Sequence, residues 1–176
     1  MQQTGYQVRF GMGVEGLRAC ASDADVIIWV DALPATDATA PTGRTRADLL
    51  GTAPTGATLI STDLPTSRAA AHWVLDHQTD VQRRLAIAVI TASDQFAVED
   101  FLCAGSVIDA LSELGLDATS PEAAASESAF RGLRNAVAHL FTASVAGREH
   151  AVPDELTRIN LHVAAADVTV IRDART

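Results

Sequence analysis

The stretch AVITASDQFAVEDFLCAGSVIDAL, residues Ala88–Leu111, decides the fold of this chain. It begins inside the continuous apolar run Leu85–Ile90, which is typical of a strand buried on both faces. From Val98 onward the apolar residues recur at spacings of three and four, and this predicts a helix. The polar segment Thr91–Ala97 is therefore a short loop at the carboxyl end of a buried strand, where ligands bind in open α/β sheets.

Two acids, Glu99 and Asp100, lie in the first turn of this predicted helix. Adjacent helical side chains point about 100° apart, so the two carboxylates cannot act as one bidentate group. As helix caps, each would stabilise the positive end of the helix dipole by about 0.5 kcal/mol. Alternatively, one carboxylate caps the helix while the other coordinates a metal or water above the strand end. The spacing of the residues leaves both interpretations open.

A third acid, Asp31, directly follows the apolar run Val26–Val30, which predicts a second buried strand. A carboxylate at that position projects from the end of the sheet. It could cap the following turn, as aspartates often do, or it could contact a metal or substrate at the strand end. Both interpretations stay open at this point.

The remaining segments predict an α/β fold. Further strands are predicted at Tyr6–Phe10, Thr58–Ser61 and Val168–Ile171, and helices at Val14–Ala21, Pro65–Leu75, Pro121 to about Thr142, and Pro153–Ala165. Helices that alternate with apolar strands predict one domain, residues 1–176, built as a three-layer α/β/α sandwich with a mostly parallel, mixed sheet. The terminal strands are short, so we expect them at the edges of the sheet, where either can be antiparallel.

Three glycines, Gly11, Gly13 and Gly16, match the spacing of a dinucleotide-binding loop. The helix that is predicted to follow, Val14–Ala21, is too brief for such a loop, however. We therefore interpret this segment as a turn into a short helix.

The composition excludes several classes of function. The formal net charge is −9, and all thirteen basic residues are arginine. The absence of lysine excludes a phosphate-loop lysine and a Schiff-base lysine, and the acidic balance argues against nucleic-acid binding. No apolar run is long enough to span a membrane, and no secretory signal is expected. Two isolated cysteines, Cys20 and Cys103, indicate a reducing, cytoplasmic setting.

Several segments resemble the 2-phosphosulfolactate phosphatase family. The similar segments are VRF at Val8–Phe10 with G-x-x-G-x-x-A at Gly13–Ala19, VIIWVDALPAT at Val26–Thr36, VEDFLCAGSVIDAL at Val98–Leu111, and ASVAGREH at Ala143–His150. The most specific of these is the acidic helix start at Val98–Leu111. The segments follow one another in the order of the family from end to end of the chain.

The resemblance implies a magnesium-dependent phosphatase on an α/β/α fold, which removes phosphate from a small hydroxy acid such as 2-phospho-3-sulfolactate. It makes Asp31 and Asp100 the expected catalytic acids and, with Glu99, the expected Mg²⁺ ligands. Magnesium prefers such hard oxygen ligands. For the phosphate group, which needs cationic or N–H partners, Arg9, Arg68 and Ser93 are the candidates for substrate binding. By analogy, we expect a homodimer.

The chain also differs from the family. The family's glycine-rich loop before the acidic helix is replaced by Ser93–Gln95, and the region between Asp37 and Thr58 is markedly shorter. These differences support a second interpretation, in which the protein is a catalytically inactive relative that binds a small anionic ligand or a protein partner. A third interpretation is an assembly subunit that associates through the alanine-rich helix Pro121–Thr142.

Overall fold

A computed structural model describes residues 3–33, 51–149 and 167–174 of the chain. Within these ranges the strands are β1 (Val8–Met12), β2 (Val26–Val30), β3 (Thr58–Thr62), β4 (Ile87–Thr91) and β5 (Thr169–Arg172). The helices are α1 (Gly13–Cys20), α2 (Ser67–Val81), α3 (Val98–Glu113), α4 (Pro121–Leu133), α5 (Val137–Ala143) and α6 (Val145–Glu149). A 3₁₀ turn, Arg134–Ala136, joins α4 to α5. In the described ranges no helix is both long and apolar enough to cross a membrane.

The sheet is five-stranded with the order β1-β4-β2-β3-β5. The first four strands in this order are parallel, and β5 pairs with β3 in the antiparallel direction. This confirms the α/β class with a mostly parallel, mixed sheet, and it confirms that both terminal strands lie at edges. Thr91 pairs with both Met12 and Val30, and Val30 pairs with Thr62, so the four parallel strands end level with one another. We call this side, with the loops that follow the strands, the carboxyl edge.

Two separate apolar cores lie on opposite faces of the sheet. Successive side chains of a strand point to opposite faces, so every residue of a strand covered on both sides is buried, as in β2. Ile27 and Trp29 share one core with α1, and Ile28 and Val30 share the other with α2 and α3. The helices therefore form the two outer layers that the alternation of elements predicted.

The prediction of one continuous helix from Pro121 to about Thr142 was wrong. The backbone leaves the helical region at Leu133 (φ −113°, ψ 0°), and the 3₁₀ turn follows before α5 begins. Residues Gly147–Glu149 belong to a separate short helix, α6, which begins at Val145. The reason is a local cap, because the backbone N–H of Gly147 donates to Ser144 Oγ at 2.9 Å. The predicted helix Pro153–Ala165 lies outside the described residues.

The glycine-rich segment forms the turn into a short helix that its context predicted. A Cβ atom on Gly11 would lie 2.7 Å from Gly16 Cα, so the two glycines let α1 pack directly against β1. Gly13 has a positive φ of 55°, and its Cβ would lie 2.6 Å from Asp94 Cα. The Asp94 carboxylate accepts a hydrogen bond from Val14 N at 2.9 Å. A carboxylate of the chain itself therefore fills the N-terminal end of α1.

The outer edge of β1 is covered by other parts of the chain. Val8 N donates to Ala118 O at 3.1 Å, and Ser120 N donates to Val8 O at 2.9 Å. Phe10 N donates to Gln3 Oε1, and Gln3 Nε2 donates to Phe10 O, both at 3.1 Å. The side-chain amide of Gln3 thus takes the place of a neighbouring strand.

Candidate functional site

The carboxyl edge brings together acids from separate parts of the sequence. Asp31 follows β2, Asp63 follows β3, and Asp100 lies in the first turn of α3, which follows β4. Asp100 Oδ1 accepts a hydrogen bond from Ala32 N at 3.0 Å, so Asp100 sits beside the peptide that follows Asp31. The structure therefore places Asp31 and Asp100 at the same edge of the sheet.

The Asp100 carboxyl group joins two loops of the carboxyl edge. Its side chain is 6% exposed, and its second oxygen, Oδ2, accepts a hydrogen bond from Ser93 N at 3.4 Å. The pKa of Asp100 is raised to about 7, chiefly by burial and also by the charges of Asp31 and Glu99, although the two backbone N–H groups oppose the shift. Near neutral pH this carboxyl group therefore exchanges between its protonated and ionised forms.

Glu99 is also buried, with 5% of its surface exposed. In the part of the chain that the structure describes, its carboxylate makes neither a hydrogen bond nor an ion pair. Its negative charge contributes to the raised pKa of Asp100. Glu99 therefore adds to the negative potential at the start of α3, while Asp100 makes the backbone contacts.

The oxygen chemistry of this edge fits Mg²⁺ through two carboxylates. Across residues 3–33, 51–149 and 167–174, no group of three or more His, Cys, Asp or Glu side chains is placed to hold a metal ion. Magnesium is, however, commonly held by one or two carboxylates together with waters and phosphate oxygens. Each oxygen of Asp100 accepts one hydrogen bond and has a second lone pair available. Asp31 and Asp100 are therefore the residues of this edge that would hold such an ion.

Arg9, a candidate for substrate binding, has a structural role instead. Its side chain is 2% exposed, and all five N–H donors are used. Nε donates to Tyr6 O, Nη1 to Cys20 O and Asp23 Oδ1, and Nη2 to Thr4 O and Asp23 Oδ2. The hydrogen bonds from Arg9 hold the pKa of Asp23 below its usual value. No donor of this guanidinium is left for a phosphate group.

Replacing Arg9 by lysine is expected to lower the free energy of unfolding by about 2 kcal/mol, because an ammonium cannot reproduce the five bonds of the guanidinium. Urea unfolding of the two proteins would measure the loss. The conservative variant Arg18→Lys is a suitable control, since Arg18 forms an exposed pair with Glu15. Equal stability of the Arg9 variant and the parent protein would contradict this role.

The other two substrate-binding candidates have different surroundings. Arg68 is 65% exposed in α2, and its guanidinium lies 3.1 Å from Glu113. An exposed pair of this kind contributes only about 0–1 kcal/mol, so it holds the arginine weakly. Ser93 lies in the loop after β4, where its N–H binds Asp100 and its hydroxyl accepts a hydrogen bond from Gln95 N at 3.2 Å. Ser93 is thus beside the acids, and its hydroxyl orders the loop.

Asp63, which directly follows β3, is a further acid of the carboxyl edge that was not among the candidate site residues. It does cap the turn before α2, since Thr66 N donates to Asp63 Oδ1 at 3.0 Å. It also lies near the other acids, since all of them act on one thiol. The pKa of Cys103 is raised by burial and then by the charges of Asp100, Asp63 and Asp31. The available signal was its position, directly after an apolar strand as with Asp31.

No protein-family model matches this chain, and no curated protein matches it at a significant level. An assignment of function therefore rests on the chemistry of the carboxyl edge.

Proposed function

We propose that the carboxyl edge holds Mg²⁺ between Asp31 and Asp100 and that the protein hydrolyses the phosphate monoester of a small hydroxy acid. One observation carries this proposal: the Asp100 carboxylate is bound by Ala32 N at 3.0 Å, directly beside Asp31. The negative charge of Asp31 helps to raise the pKa of Asp100. A divalent cation between the two carboxylates would relieve this repulsion. Glu99 is a further candidate ligand because it adjoins Asp100.

The residues around the pair would orient the reactants. When bound, Mg²⁺ neutralises phosphate charge and lowers the pKa of a coordinated water. The N–H groups of Ala32 and Ser93 each bind one oxygen of the Asp100 carboxylate and so fix its orientation. The loop that begins at Ser93 leads into the N-terminal end of α3, a 16-residue helix. With Mg²⁺ bound to the acids of its first turn, the N–H groups at this end would favour an anionic phosphate.

The test is phosphate release from 2-phosphoglycolate, phospholactate, 2-phospho-3-sulfolactate and p-nitrophenyl phosphate, each with and without magnesium. Asp31→Asn and Asp100→Asn are each expected to lower turnover by about 100-fold or more. Asp117→Asn is the control, since Asp117 is an exposed acid in the turn before α4. Failure to detect magnesium-dependent turnover on any of the four compounds would contradict the proposal.

A second candidate is a non-catalytic protein that binds a small anionic ligand or a protein partner. Its support is that both oxygens of Asp100 already bind backbone N–H groups, while Arg9 has no donor to spare. Calorimetric titration with inorganic phosphate, with and without magnesium, separates the two candidates. Phosphate binding in a protein that shows no turnover would favour this second function.

We further propose that the protein is a cytoplasmic homodimer. Both cysteines, Cys20 and Cys103, are free and buried, as suits a reducing compartment. Leu133 and Val145, which are 41% and 65% exposed, provide apolar surface at the ends of α4 and α6. Size-exclusion chromatography with light scattering tests the oligomeric state, and a monomeric mass would contradict the dimer.

A further inference from the structure

A cavity of about 380 Å³ lies beside the outer edge of β1, and the acids of the carboxyl edge do not line it. Its wall includes Phe10 and Met12 of β1, Ala19 of α1, Phe101 of α3, and Glu122 and Ala125 of α4. The short side chains of the two alanines leave the space open. The volume falls in the range of small-molecule sites, which is about 300–1,000 Å³.

Aromatic rings form one side of this cavity. Phe10 and Phe101 pack edge to face, with their ring centroids 5.6 Å apart. Phe96 continues the series, with its centroid 5.3 Å from that of Phe101 and 64% of its surface exposed. The rings thus lead from the buried core out to the surface. Their faces carry partial negative charge, which attracts cations.

The charged group in the wall is also negative. Glu122 lies in the first turn of α4, and within the described ranges it forms neither an ion pair nor a hydrogen bond. No arginine of the described residues lines the cavity, and the chain has no lysine. A mostly apolar wall that contains aromatic rings and one carboxylate favours a ligand that is apolar at one end and positively charged at the other.

We propose that this cavity binds a small organic cation with an apolar aryl or alkyl body and an ammonium head. The body packs against Phe10, Phe101 and Ala125, and the head lies toward Glu122. Because a phosphate monoester is anionic, the Glu122 carboxylate disfavours it here. The cavity and the carboxyl edge therefore take different molecules, and each proposal can fail without the other.

The experiment compares three probes with the same phenyl body but different charge. Phenethylammonium, 2-phenylethanol and phenylacetate are titrated into the full chain and followed by ligand-observed NMR. Phenethylammonium is expected to bind about tenfold more tightly than phenylacetate, with 2-phenylethanol between them. Glu122→Gln should remove most of this preference. Glu15→Gln, at a first-turn acid of α1 that does not line the cavity, should leave it unchanged.

A second variant tests the location of the site. Ala125→Leu places a larger side chain in the cavity, and because Ala125 is exposed the fold should tolerate it. It is expected to weaken binding of phenethylammonium at least about tenfold, whereas the control Ala143→Leu, at an exposed position in α5, has no effect. Equal binding of phenylacetate and phenethylammonium, or unchanged binding by Ala125→Leu, would overturn the proposal. A dimer that dissociates in Ala125→Leu would overturn it as well, since the occupant would then be a second copy.

Discussion

Replacing Asp100 by asparagine is expected to raise the free energy of unfolding at pH 8 by about 2–3 kcal/mol. The pKa of this group is raised from 3.8 to about 7 in the folded protein, chiefly by burial. Between these values the folded state binds more protons than the unfolded state, so stability falls as the pH rises from about 4 to about 7 and is constant above. Asparagine keeps an acceptor for Ala32 N and carries no charge, so the variant should not show this fall.

Urea unfolding at pH 5 and pH 8 measures the effect. Asp23 and Asp25 titrate below the range from pH 5 to pH 8. Their pKa values are lowered by hydrogen bonds with Arg9 and Arg83, respectively. Their contribution to stability is lost only as the pH falls through those lowered values. The difference between Asp100→Asn and the parent protein should therefore grow from pH 5 to pH 8. A difference that is the same at both values would contradict the raised pKa.

Magnesium adds an independent readout to the same pair of proteins. A ligand that binds only the folded state stabilises it, and the effect increases with ligand concentration. At pH 8, magnesium is therefore expected to raise the unfolding midpoint of the parent protein and to leave that of Asp100→Asn unchanged. If the parent protein does not respond, the magnesium site is refuted, while the pH dependence of Asp100 stands on its own.

Replacing Gly105 by alanine is expected to lower the free energy of unfolding by about 3 kcal/mol. Gly105 lies where α3 and α4 cross, and a Cβ atom there would overlap the carbonyl oxygen of Ser126 and lie 2.8 Å from Phe130 Cβ. The neighbouring contact is tight as well, because Ser126 Oγ donates to Phe101 O at 2.8 Å. The two helices would therefore have to move apart and lose packing.

A matched glycine in α4 provides the control. Nothing lies within 4 Å of a Cβ atom built on Gly132, which is exposed on the helix. Gly132→Ala is therefore expected to stabilise the protein by about 0.5–1 kcal/mol, because alanine loses less backbone entropy in a helix. In thermal unfolding, the midpoint of Gly105→Ala should be lower than that of the parent protein, and the midpoint of Gly132→Ala should be higher. A shift in the same direction would contradict the close approach at Gly105.

The central strands β2 and β4 were predictable because they are short apolar runs. The run Val26–Val30 forms β2 with the predicted bounds, and all five of its residues are buried. The interruption of the helix at Leu133 could not be predicted from the apolar pattern. Apolar residues continue at helical spacing through Leu140, and the spacing does not record where the backbone leaves the helical region.

The meeting of Asp31 and Asp100 at one edge follows from the parallel strands, whose carboxyl ends lie together. What binds Asp100 could not be predicted, since its partners are the backbone N–H groups of Ala32 and Ser93. The role of Arg9 was hidden for a similar reason. Most of its acceptors are backbone carbonyls, which leave no trace in the pattern of side chains.

The amide of Gln3 has a consequence for how copies of this protein can associate. This amide forms hydrogen bonds with both the backbone N–H and the C=O of Phe10. The backbone of Ala118 and Ser120 does the same for Val8. An intruding polypeptide would have to displace both before it could add itself to the first strand. Fibre-like growth by addition of strands to this flank is thereby discouraged.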